Sequence, residues 1–173
     1  GGAIVGALEA LATKLAKIQQ EIGFYYITNH GVSPLLIKQA NEQLKRFFAL
    51  PMSEKMKLKT NANSVGFIPP KSTLYVTSTV NKNTKPDLNE CLITVKERPA
   101  DHPSAVAKRR FHGPNEWPSQ SVLPDYRAKM LEYYAAMEEL GYKMLPLYAR
   151  ALGMPADYFA PLFKDPTWTT RNQ

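Results

Sequence analysis

EIGFYYITNHGVSPLLIKQANEQLKRFFALPMSEKMKL, Glu21 to Leu58, is the stretch on which the fold turns. Leading into it, Leu8, Leu11, Leu15, Ile18 and Ile22 recur every three or four residues, which predicts a helix over Ala7 to Ile22. Gly23 closes that helix, because a glycine past the last periodic residue takes the left-handed backbone that satisfies the final carbonyls. Phe24 to Thr28 is aromatic and β-branched and reads as a short buried strand. Asn29-His30-Gly31 has turn chemistry, and Ser33-Pro34 is an N-cap followed by proline at the first helical position. The helix begun there buries Leu36, Ile37, Ala40, Leu44, Phe47 and Phe48 and ends at Pro51; Ser53 then caps a further short helix through Leu58.

Beyond Leu58 the pattern changes. Thr60 to Asn83, rich in Asn, Ser, Thr, Pro and Gly, reads as a long loop, and Leu88 to Val95 as a strand. Glu97 to Gln120 carries prolines at 99, 103, 114 and 118 and is irregular. The longest helix starts near Val122 or Asp125 and runs to Leu152, with Met130, Tyr133, Met137, Leu140, Met144, Tyr148 and Leu152 on one face and Gly153 as its stop. Pro146, inside it, predicts a kink near Tyr142 to Lys143. A short helix over Ala156 to Phe163 and an extended Thr167 to Gln173 complete a helix-rich α+β chain.

The totals narrow the class. At 173 residues, 44% apolar, the chain has enough core-forming material for one ordinary domain. No apolar run reaches the length of a bilayer span, and the single cysteine, Cys91, excludes an internal disulfide and suits a reducing cytoplasm. The net charge of +7 is interleaved with acidic residues; only Ala107 to Phe111, AKRRF, is a compact basic run, which reads as a solvated loop or helix end and not a nucleic-acid contact.

Self-contained chemistry is missing from the pattern. His30, His102 and His112 have neither a carboxylate two residues on nor another histidine at helical spacing, so they form no metal motif. There is no glycine-rich phosphate loop and no G-x-S-x-G elbow. Cys91 in a strand reads as a small hydrophobe.

The order of segments carries more. Glu21 to Leu58 resembles the N-terminal region of the non-haem iron(II)/2-oxoglutarate-dependent dioxygenases related to isopenicillin N synthase, with their G-F-F-x-[IV]-x-N-H-G-[IV] run, phenylalanine pair and P-x-x-x-K segment. Gly66-Phe67 is similar to that family's G-Y step, Lys85 to Glu90 to its K-x-D-x-x-E strand entry, FHGPNEWP at Phe111 to Pro118 to its N-x-W-P segment, and Tyr126 to Gly153 to the long helix backing its barrel. Phe67 and Pro146 depart from the usual pattern.

The resemblance implies a non-haem dioxygenase N-terminal domain over residues 1–118, with residues 119–173 as the backing helix and start of a double-stranded β-helix (jelly-roll) oxygenase domain. It implies an oxidoreductase that hydroxylates a small-molecule substrate with O2 and decarboxylation of 2-oxoglutarate. The Fe(II) ligands (H-x-D and a distant His) and the R-x-S motif are expected C-terminal to Gln173, leaving this segment inactive alone. By the same resemblance His30 is a turn residue, Phe67, Cys91, Ile93 and Arg171 face substrate, and Gln173 lies near 2-oxoglutarate. Were the native chain to stop at Gln173, the rival expectation is a non-catalytic partner-binding domain.

Overall fold

The computed structural model describes residues 2–72, 80 and 84–173, with side chains from Gly6 onward. The expected loop over Thr60 to Asn83 lies partly outside them, and its described part is not all loop: it contains a strand, Gly66–Ile68, held by pairing with Cys91–Ile93. The elements are α1 (Gly2–Glu21), α2 (Pro34–Phe48), α3 (Met52–Met56), β1 (Gly66–Ile68), β2 (Cys91–Val95), α4 (Pro103–Val106), α5 (Tyr126–Ala151), a 3-10 turn (Ala160–Phe163) and β3 (Thr169–Asn172). The chain divides into two compact units, one formed by the chain up to Ala40 with Lys129–Pro166, the other by Asn41–Ala128 with Thr167–Gln173.

In the first unit the local signals hold. Gly23 has φ of +83° and donates its N–H to the Ile18 carbonyl at 2.9 Å, closing α1. Asn29 (φ +55°) and Gly31 (φ +80°) make the turn, and the Ser33 hydroxyl accepts the Leu36 N–H at 3.4 Å to cap α2. His30 Nδ1 accepts the Val32 N–H at 3.1 Å, a turn role. Ala12, Leu15, Val32, Leu36 and Ala40 are buried, as are Met130, Tyr134 and Ala149 on α5. The Arg150 guanidinium meets Glu9, with Nε to Oε1 at 2.5 Å, and the Tyr25 and Tyr148 hydroxyls hydrogen-bond each other. That bond, together with burial, pushes the Tyr148 phenol up to about 12, because each favours the neutral form.

Other expectations change as well. Phe24 to Thr28 is not a strand: the segment is irregular, with Phe24 84% and Tyr26 101% exposed. A strand needs a partner for its N–H and C=O groups, and the three described strands pair with one another and, at Phe67, with Lys59, never with Phe24 to Thr28. On α5 the buried positions are Tyr126, Met130, Tyr134 and Ala149, whereas Met137 and Leu152 of the expected stripe are exposed. At α3 the N-cap is Pro51, with no side-chain cap, in place of Ser53.

The second unit is built on the antiparallel sheet β1-β2-β3. Phe67 sits against Phe47 with ring centroids 6.0 Å apart, and Phe47 against Tyr126 at 5.8 Å; Val65, Leu92 and Thr94 are fully buried. Gly66 is fixed by space as well as by its φ of +120°, since a Cβ there would lie 2.5 Å from the Leu58 carbonyl oxygen. Beyond the end of β1, the Asn115 carboxamide takes over the edge of β2, accepting the Val95 N–H at 2.8 Å and donating to the Val95 carbonyl at 2.9 Å. This satisfies two buried backbone groups that would otherwise be orphaned.

Lys55 is the other fixed point. It is 5% exposed, and its ammonium donates to both Glu90 oxygens (2.9 and 2.8 Å) and to the Phe48 carbonyl at the end of α2 (3.0 Å), while lying 5.6 Å from the Phe67 ring centroid. Glu90 immediately precedes β2, so the pair ties the start of the central strand to α2 and α3.

Candidate functional site

Sheet register decides which expected site residues can act together. Gly66 pairs with Ile93, Phe67 with Leu92 and Ile68 with Cys91; across the other edge, Leu92 pairs with Asn172 and Ile93 with Arg171. Directly paired residues share a face and neighbours along a strand alternate, so Ile68, Cys91, Ile93 and Arg171 lie on one face. Gln173, one step past Asn172, continues that alternation at the exposed end of β3. Phe67, Leu92, Thr94, Thr170 and Asn172 lie on the opposite face, where the Thr94 and Thr170 hydroxyls hydrogen-bond each other.

Phe67 is therefore separated from Cys91 and Ile93. It is fully buried in the aromatic core with Phe47 and Lys55. The residue that shares the Cys91 face on β1 is Ile68, half-buried, which sequence reasoning did not pick. Register against a strand more than twenty residues away carries no local signal, and a one-residue offset exchanges the two faces.

The Cys91/Ile93 face is apolar along its centre with one cation at its edge. Cys91 is fully buried, Ile93 half-buried and Arg171 exposed. Burial pushes the Cys91 thiol up from its ordinary value, and the Arg171 guanidinium, hydrogen-bonding to the sulfur, opposes part of that rise. The raised, buried thiol is disfavoured as a nucleophile. Arg171 brings a fork of N–H donors that matches a carboxylate.

Among the described residues no three of His, Cys, Asp and Glu converge as a metal site. His102 accepts the Ser104 N–H at 3.2 Å as the cap of α4, and His112 is engaged by the Arg110 carbonyl and the Thr167 hydroxyl. These residues do not fit an iron centre, and no metal step is assigned to them. Also among the described residues, no helix is long and apolar enough to cross a membrane.

Comparison with known proteins gives a consistent picture. Residues 6–120 match the family described as non-haem dioxygenase in morphine synthesis N-terminal. The chain is similar to azadirone synthase LFS of Melia azedarach, 35% identical over 86% of this chain and 43% of that protein. It is also similar to a 2-oxoglutarate-Fe(II) type oxidoreductase of Emericella nidulans, 34% identical over 90% of this chain and 46% of that protein. A crystal structure of a 2OG-Fe(II) oxygenase family protein from Caulobacter crescentus superposes with a TM-score of 0.77 at 22% identity, over 95% of this chain and 50% of that one. The chain thus spans about half the length of the proteins it matches.

Proposed function

Because the chain belongs to the non-haem dioxygenase N-terminal family, we propose that the whole protein is an iron(II)/2-oxoglutarate-dependent dioxygenase that hydroxylates a small-molecule substrate, consuming O2 and decarboxylating 2-oxoglutarate. In this reading residues 1–118 form the N-terminal domain, and residues 119–173 supply the backing helix and first strand of a jelly-roll oxygenase domain. The Fe(II) ligands come from the part of the whole protein that this chain does not span. Bound there, the metal and 2-oxoglutarate supply the oxidising chemistry.

The contribution of this chain is a substrate wall. Ile68 and Ile93 offer apolar contact with Cys91 buried on the same face, Arg171 pairs with an anionic group on the substrate, and Gln173 lies beside 2-oxoglutarate; Phe67 supports the wall from behind. The observation that carries the reading is the family match over residues 6–120. What supports the wall is the common face of Ile68, Cys91, Ile93 and Arg171.

The test uses the whole protein with Fe(II), 2-oxoglutarate and O2, following succinate formation and loss of compounds from a small-molecule library. Ile93→Trp and Arg171→Met are expected to depress substrate-coupled turnover while substrate-independent succinate formation persists. Equal loss of both activities would count against the wall, and absence of any succinate would remove the enzyme itself.

A further inference from the structure

The compact basic run has no part in the substrate wall, yet it is held in an unusual conformation. α4 ends in a Schellman arrangement: Lys108 donates its N–H to the Ala105 carbonyl at 2.9 Å and Arg109 donates to the Ser104 carbonyl at 3.0 Å. The position that turns the chain is Lys108, with φ of +50°, where glycine would cost least. Three residues later Phe111 also takes a left-handed conformation, φ +63°, uncommon for an aromatic residue. Arg109 and Arg110 are bracketed by these two.

The loop does not float. Phe111 donates its N–H to the Asn63 carbonyl at 2.7 Å, the Asn63 carboxamide donates to the His112 carbonyl, and Arg110 Nε donates to the Ser64 hydroxyl at 3.3 Å. Behind it, His112 N–H reaches the Arg109 carbonyl at 3.2 Å and His112 Nε2 meets the Thr167 hydroxyl at 3.2 Å. The Arg110 guanidinium lies 4.7 Å from the Phe111 ring centroid, which fixes its plane. Lys108, Arg109 and Arg110 are all exposed, and among the described residues none has a carboxylate within ion-pair distance. Like charges have been brought together around a left-handed Lys108, and among the described residues no carboxylate neutralises them.

We propose that the pinned turn Lys108–Arg109–Arg110 is a docking surface for an acidic peptide segment of a partner protein. A free small anion would remain in contact with water on three exposed side chains, whereas a chain carrying several carboxylates gains a contact from each. Guanidinium groups pair with carboxylates in two parallel hydrogen bonds, and the fixed turn lowers the ordering cost of binding. A nucleic acid is less well matched, because the single turn offers no extended track of cations and the Phe111 face is already covered by Arg110. The proposal is independent of the oxygenase reading.

The test measures binding of a fluorescent Glu/Ser-alternating peptide to the whole protein, beside an oligothymidylate of equal charge and inorganic phosphate as competitor at matched ionic strength. The peptide should bind more tightly than the oligonucleotide and weaken steeply with added salt. Arg109→Glu with Arg110→Glu should weaken it about tenfold or more. Lys17→Glu with Lys38→Glu, the same charge change at exposed positions elsewhere, should leave it within about twofold. Tryptophan emission matching the parent protein in both double variants shows that they fold. No peptide binding, equal loss in both variants, tighter oligonucleotide binding or displacement by phosphate would each overturn the proposal.

Discussion

Replacing Glu90 with Gln removes one charge from the Lys55–Glu90 pair and leaves the other in place. The Lys55 side chain is 6% exposed and the Glu90 side chain 27%. Truncating one member of a buried ion pair costs about 3–5 kcal/mol, mainly because the remaining charge is stranded. Glu90's partial contact with water scales this to about 2–3 kcal/mol for Glu90→Gln. Lys55→Met should cost less, about 1 kcal/mol, because the methionine keeps most of the buried stem and the orphaned carboxylate can hydrate. The double variant should be no worse than Glu90→Gln, giving a coupling energy of about 1–2 kcal/mol in the cycle. Urea unfolding followed by tryptophan emission is the assay, since Trp117 and Trp168 both lie in the unit that holds the pair. A Lys55→Met variant as damaged as Glu90→Gln, or purely additive effects, would refute this account of the pair.

Gly66→Ala should lower stability by about 2 kcal/mol or more, read as a fall in melting temperature, because the added Cβ meets the Leu58 carbonyl oxygen at 2.5 Å and φ is +120°; an unchanged transition would contradict the geometry. Tyr148 ionises near 12, so the folded state holds a proton that the unfolded chain releases near 10; its contribution is present below pH 10 and lost as pH rises toward 12. Tyr25→Phe should bring the late phenolate absorbance step down toward 10, and an unmoved step would mean that the hydroxyl pair is not its cause. Cys91 should react with a thiol reagent at pH 8 only after unfolding, with a folded-state rate more than about a hundredfold slower; fast labelling of the native protein would show an open sheet face.

What the sequence made legible was local. Gly23, Asn29, Gly31 and the Ser33-Pro34 cap each act within one turn, and each sits where its chemistry requires. Strand identity at Phe24 to Thr28 was not legible, because apolar and β-branched residues describe a surface suited to a sheet without supplying the second strand. The same limit separates Phe67 from Cys91: both look like strand positions, and only pairing across the sheet shows that they face opposite ways. Asn115 and Glu90 were visible as members of motifs, but their work depends on Val95 and on Lys55, the latter thirty-five residues away from its carboxylate. Hydrogen bonds of that span leave no periodic trace.

The most direct measurement compares the whole protein with this 173-residue chain, each given Fe(II), 2-oxoglutarate and O2. The whole protein should bind iron and release succinate, and the isolated chain should do neither. A whole protein that makes no succinate, or an isolated chain that binds iron stoichiometrically, would contradict the proposal that this chain supplies the substrate wall of an oxygenase whose metal centre lies outside it.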